Sequence, residues 1–174
     1  SSKVYDGTAD ATVSAAEAVF TGMIGGDDLT VNSTGVFGDK NVANGKTVTL
    51  TNAFGGADLG NYSITDQGTT TADITAKAVT LSGITASSKV YDQTTAATVS
   101  TAGATFVGMV EGDDLTVSSE GVFSDKNVGT GKTVTLTNTL DGADLANYTI
   151  TDQGTITADI TKASVTLSGI TASN

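Results

Sequence analysis

The chain is one sequence written twice. Shifted by 86 residues it falls on itself without a gap, and 64 of the 88 overlaid pairs are identical. Val4-Tyr5-Asp6 returns as Val90-Tyr91-Asp92, and Gly26-Asp27-Asp28-Leu29-Thr30-Val31 returns as Gly112-Asp113-Asp114-Leu115-Thr116-Val117. Ala57-Asp58-Leu59-Gly60-Asn61-Tyr62 returns as Ala143-Asp144-Leu145-Ala146-Asn147-Tyr148. A fixed period with so little drift marks an array. Any fold proposed for one copy must serve both, so the sequence reads as two domains, residues 1–86 and 87–174. A module of this length buries only a thin core. Stability on the order of 5 kcal/mol per module is therefore expected, with neighbouring repeats adding to it.

Missing residue types narrow the function. The chain has no Cys, His, Trp, Pro or Arg. Without Cys there is neither a disulfide nor a thiolate site. Without His the commonest general base and metal ligand is gone. Sixteen Asp and three Glu face eight Lys, for a net charge of −11. That field repels nucleic acid and anionic lipid. No apolar run approaches the roughly 20 residues of a membrane helix. The copies start and stop in mid-repeat, which reads as a piece of a longer polypeptide. Few Lys and no Cys fit an extracellular bacterial surface protein better than a cytosolic enzyme.

The local pattern is β throughout. Residues 46–52 alternate cleanly: Val48 and Leu50 face one side, Thr47, Thr49 and Thr51 the other. Period two with one dry face predicts half-buried antiparallel sheet. Further strands are expected near residues 11–14, 29–31, 62–65 and 71–75. Val79 and Leu81 have the opposite parity to Ile74, so a bulge or break is required near Lys77. The run over 73–81 carries little turn signal, so residues 79–86 read as the last strand of the preceding repeat, and residues 165–172 likewise. Short strands and polar turns predict an all-β chain. The reading is two tandem antiparallel β-sandwich modules, immunoglobulin-like and arranged end to end. Tyr62 starts a strand after a small-residue corner, as in the tyrosine corner of such sandwiches, where the hydroxyl bonds the chain just upstream. The alternative is a β-grasp-like module with residues 15–22 as its helix.

Together, the Lys-Val-Tyr-Asp-Gly start, Gly-Asp-Asp-Leu-Thr-Val, Gly-Val-Phe-x-Asp-Lys-Asn-Val, Gly-Lys-x-Val-Thr-Leu and Gly-Ala-Asp-Leu-x-Asn-Tyr-x-Ile-Thr resemble the YDG-domain family. That family consists of tandem extracellular repeats in very large bacterial surface proteins, including haemagglutinin-like adhesins. The resemblance spans nearly all of both repeats. It implies a stalk or spacer that extends a distal adhesive region from the cell surface, with no catalytic residue to transfer. The naming motif is intact at Tyr5-Asp6-Gly7 but reads Tyr91-Asp92-Gln93 in the second copy. Either that turn does not need a positive φ at its third residue or the second copy is reshaped.

Candidate chemistry is sparse. A nucleophile needs an adjacent base, and neither His nor Cys exists. The chain therefore reads as a non-enzyme. Asp27-Asp28 and Asp113-Asp114 sit in Gly-containing loops, and oxygen-rich loops are what calcium takes. These four aspartates are the metal candidates, with calcium as the ion that such loops would take, and no other cofactor is expected. All three Glu differ between copies, so a shared Glu does not catalyse an internal cross-link, which leaves Asp as the carboxyl that could. Asp39-Lys40-Asn41 and Asp125-Lys126-Asn127 read as turns with local side-chain bonds in preference to a ligand patch. The expected partners are neighbouring repeats of the same chain, with neither nucleic acid nor membrane, and the state expected is a monomer. A direct glycan- or host-protein-binding module, possibly stabilised by calcium, is the rival function; low aromatic content argues against it.

Overall fold

A computed structural model describes residues 1–172. The chain is all-β, in several sheets, and it divides into two units. The first comprises Ser1–Ala78, Met109–Asp113 and Asp144–Thr149; the second comprises Val79–Gly108, Asp114–Ala143 and the described residues from Ile150 onward.

The first unit is built on strands β1 (Lys3–Val4), β2 (Asp10–Ala11), β3 (Thr30–Phe37), β4 (Ala43–Gly55) and β5 (Thr69–Thr75), in the sheet order β1-β5-β4-β3-β2. β3 and β4 form an antiparallel hairpin whose register runs from Thr30↔Gly55 to Phe37↔Val48. β5 adds antiparallel to β4, across a register shift between Ala43 and Lys46. β1 closes the edge in parallel, with Lys3 opposite Ile74. The expected alternation holds on β4: Val48 is buried while Thr47 and Thr49 are exposed. Phe37 and Ile74 are buried from the adjacent strands.

Ten further strands follow. They are β6 (Lys77–Ser82), β7 (Thr85–Ala86), β8 (Lys89–Val90), β9 (Ala96–Ala97), β10 (Val99–Ser100), β11 (Thr105–Val107), β12 (Thr116–Phe123), β13 (Gly129–Asp141), β14 (Tyr148–Thr151) and β15 (Thr155–Thr161). In the second unit β8-β15-β13-β12-β9 repeat the first sheet strand for strand, and the β12/β13 register is that of β3/β4 moved by one repeat. A three-stranded sheet, β11-β6-β14, and a two-stranded one, β10-β7, accompany it. The core gathers Leu81 and Ile84 with Phe123, Val134, Leu136 and Ile160, so side chains from β6 and from the five-stranded sheet share one apolar interior.

Three expectations are corrected. Residues 15–22 form turns and no helix, so the helix of a β-grasp module is missing there. Ala15-Ala16-Glu17-Ala18 has helix formers but far too short a run to hold a helix alone. Residues 79–86 do not close the preceding repeat. Val79, Leu81 and Ile84 are buried, and Leu81 and Ile84 belong to the core of the second unit. Residues 165–172, their copy, are in no strand and are exposed, as Val165, Leu167 and Ile170 show. The parity argument at Lys77 does hold: β5 ends at Thr75 and β6 starts at Lys77, with Ala76 as the break. That break is what lets 79–86 leave the first sheet.

Candidate functional site

The densest polar constellation is built from the very residues that the sequence singles out, joined in a way the sequence does not reveal. Each repeat has a one-turn 3-10 helix, Leu59–Asn61 or Leu145–Asn147, leading into a tyrosine. The turn satisfies its own backbone: Asn61 N–H donates to Asp58 O and Tyr62 N–H to Leu59 O. The tyrosine hydroxyl is therefore free to reach elsewhere. That of Tyr62 donates to Asp27 Oδ2 at 2.6 Å and accepts the Ile24 N–H at 3.0 Å. Tyr148 does the same with Asp113 Oδ2 at 2.6 Å and the Val110 N–H at 3.0 Å. This corrects the tyrosine-corner expectation, because the partners lie 35 and 38 residues upstream instead of at the corner.

In the first unit more groups converge on Asp113. The buried Tyr5 donates its hydroxyl to the same Oδ2 at 2.8 Å. Lys40 Nζ reaches Asp113 Oδ1 and Asp144 Oδ1, each at 3.0 Å. The Tyr5 and Tyr148 rings meet edge to face with centroids 5.5 Å apart, a favourable aromatic geometry. The buried Asn147 accepts the Val42 N–H at 2.9 Å.

Electrostatics follow from this packing. Burial pushes the Asp113 carboxyl up, but hydrogen bonds from Tyr148, Tyr5 and Lys40 outweigh it and hold the group below its ordinary value. Burial, helped by the Asp113 bond, pushes Tyr148 up to about 12. Tyr5 is raised, chiefly by burial. Lys40 is raised by the Tyr5 hydroxyl first, then by the carboxylates of Asp144 and Asp113. Each proton stays where it is near neutrality. The arrangement is an ionic clasp.

The four metal candidates are placed as follows. Asp27 and Asp113 accept the tyrosines. Asp28 accepts the Ala57 N–H at 3.0 Å, and Asp114 accepts the Ala143 N–H at 3.2 Å. Among the described residues no group of three or more acidic side chains is disposed to hold a metal ion. No helix among them is long and apolar enough to cross a membrane.

Two turns complete the picture. Asp39 Oδ1 accepts the Asn41 N–H at 2.7 Å and Lys46 Nζ at 2.6 Å, the local bonding that was expected, while Lys40 between them turns outward to Asp113. In the Tyr-Asp-Gly turn, Asp6 accepts the N–H and hydroxyl of Thr8 and the ammonium of Lys3. Gly7 has φ +80°, and Gln93 keeps the same turn at φ +71°. The second copy is not reshaped; a side chain is held in the left-handed region there. The long-range partnerships of Tyr5 and Lys40 are what sequence reasoning missed. Retention in both copies is no signal when most of the repeat is retained.

A family model described as the YDG domain matches residues 1–72 and 75–158. Its second segment starts upstream of β6 and stops before residue 165, in phase with the division in which Val79 opens the second unit. No curated protein and no solved structure is significantly similar to the chain.

Proposed function

Starting from the chain's membership of the YDG domain family, which is matched over most of both repeats, we propose that it is a structural spacer in a secreted bacterial surface adhesin. Its task is to hold a distal adhesive region away from the cell. In this reading each repeat is a small sandwich of immunoglobulin-like kind, and repeats follow one another end to end. The sharing of one core by β6 and the five-stranded sheet supports the sandwich. The observation that carries the functional reading is the fate of the candidate chemical groups. Asp27, Asp28, Asp113 and Asp114 each accept a hydrogen bond from the protein's own groups, which is the part a scaffold gives them. Calcium has no assigned part in it.

The test is a screen of the purified chain against a glycan array and host extracellular proteins, beside a surface-displayed parent with these repeats deleted. The spacer reading expects no saturable ligand for the chain, and a deleted parent that keeps its ligand but reaches less far. A saturable ligand lost on substitution of an exposed side chain would replace it with direct recognition.

A further inference from the structure

The first unit holds an open groove of mixed lining, whose apolar side chains include Val13, Phe20, Leu50, Phe54 and Ile64. Their counterparts one repeat on are Val99, Phe106, Leu136, Leu140 and Ile150, and all five pack in the cluster that contains Leu81 and Ile84. So the place that residues 79–86 fill in the second unit is empty of described residues in the first.

The backbone records the same difference. β10, β11 and β14 pair with β7 or β6. Their counterparts at residues 13–14, 19–21 and 62–65 form no strand. A ladder needs a partner, and these segments have none among the described residues. Gln153 shows it at one side chain. It brackets Ile84, accepting its N–H at 2.9 Å and donating to its C=O at 3.0 Å. Gln67, its counterpart, donates to Thr69 O instead.

A matching strand exists in the same chain. Residues 165–172 read Val-Thr-Leu-Ser-Gly-Ile-Thr-Ala, identical to residues 79–86. Leu81 is 2% exposed and Leu167 81%; Ile84 is 2% and Ile170 80%. Gly83 and Gly169 share a positive φ, +87° and +83°. The polar clasp is open in the same sense. Lys126 and Val128, counterparts of Lys40 and Val42, are exposed. Ile24 and Asn61, counterparts of Val110 and of the buried Asn147, are exposed too.

We propose that residues 165–172 of one copy of this chain insert as a strand into the groove on the first unit of a second copy. The inserted strand pairs with residues 19–21 and 62–65, and Gln67 turns to bracket Ile170. This is strand addition, in which main-chain bonds give affinity and alternate side chains give specificity. Leu167 and Ile170 enter where their equivalents lie in the second unit, while Tyr91 and Lys126 meet Asp27 and Asp58. Donor and acceptor are different surfaces, so the contact is heterologous and each added copy offers a fresh strand. One local mismatch works against it. Gly7 leaves room for Val110, since a Cβ there would lie 2.9 Å from Val110 Cγ1, whereas the donor copy presents Gln93.

The test is sedimentation velocity on the whole chain at physiological salt, up to about 1 mM. Head-to-tail oligomers that grow with concentration are expected. Leu167→Asp with Ile170→Asp changes only exposed positions, so folding is spared; it should weaken association about tenfold or more. That variant keeps its groove, so a synthetic peptide of residues 164–172 should bind it saturably, protect amides 19–21 and 62–65 from exchange, and raise the melting of the first unit. Gln67→Ala should weaken the peptide. The proposal is overturned if the wild-type chain stays monomeric and the peptide leaves those amides unchanged. It is equally overturned if the double variant associates as well as the wild type.

Discussion

Tyr5 and Tyr148 share a single acceptor atom, each hydroxyl ending on Oδ2 of Asp113, at 2.8 and 2.6 Å. The second oxygen of that carboxylate is taken by Lys40. Asp113 is thus a charged acceptor with three side-chain donors, beside two packed rings.

Tyr148→Phe keeps the ring and removes one bond to a charged acceptor. It also leaves the Val110 N–H without its hydroxyl partner. A loss of about 1.5–3 kcal/mol is expected in urea unfolding. Tyr62→Phe removes the matching pair of bonds at a more exposed tyrosine and should cost clearly less. Equal losses would mean that packing around Tyr148 does not matter.

Acid stability should trace to the Tyr-Asp turns. Asp6 is held at about 2 from an ordinary 3.8, first by Lys3 and then by the bonds from Thr8. Asp92 is held at about 2 by Lys89 and Thr94. A carboxyl whose folded value is depressed contributes stability fully above its unfolded value and loses it as pH falls through the folded one. Thermal melting should therefore decline from about pH 4 toward pH 2. Lys3→Met and Lys89→Met should each reduce this decline. An unchanged pH profile in both would show that the turns are not coupled to folding.

Gln93→Gly should stabilise the chain. The left-handed region costs a side-chain-bearing residue roughly 1–2 kcal/mol, partly offset by the greater freedom of glycine in the unfolded chain. A net gain of about 1 kcal/mol in unfolding free energy, seen as a higher urea midpoint, is expected. The reverse change, Gly7→Gln, should be destabilising, since it adds that strain and the contact with Val110.

Removing residues 164–174 should leave the melting of the dilute chain within about 0.5 kcal/mol of the original, because exposed apolar side chains contribute little. Leu81→Ala, the same residue type one repeat earlier, should cost about 2–5 kcal/mol, because it opens a cavity in a packed core.

Calcium should change little. With Asp27 and Asp113 occupied by tyrosines, millimolar calcium against chelator should shift melting by only a few degrees. A rise above about 10 °C, roughly 2 kcal/mol for a domain of this size, would demonstrate true sites.

What could be read from sequence was local. The Val48/Leu50 alternation located β4, and the parity of Ile74 against Val79 and Leu81 required a break near Lys77, which the structure has at Ala76. Which core Leu81 enters is a tertiary matter. The alternation in residues 79–86 is the same whether the strand turns back or goes on. The corner before Tyr62 was legible, but the hydroxyl's target was not, because Asp27 lies 35 residues away. Lys40 and Asp113 are 73 residues apart. A side chain that bonds across such a span leaves no periodicity to detect, and Asp39-Lys40-Asn41 looked like an ordinary turn because two of its three residues are one.

The parallel pairing of β1 with β5 sets how the first unit bears a load. Lys3 and Val4 lie beside Ile74 and Thr75, and the pairing is extended by Tyr5 N–H to Thr75 O at 2.8 Å and by the Ser2 hydroxyl, which accepts the Asp73 N–H. In a parallel pair the bonds are evenly spaced and slanted between the strands. A pull entering at residue 3 and leaving at residue 75 drags the two strands past each other, so these bonds are strained together and must fail together. In an antiparallel hairpin pulled from its open end they would break in succession, each at a smaller force. Tension applied along that line thus meets a shear clamp, and its rupture rate, more than the equilibrium stability of the unit, decides how long the unit survives such a pull.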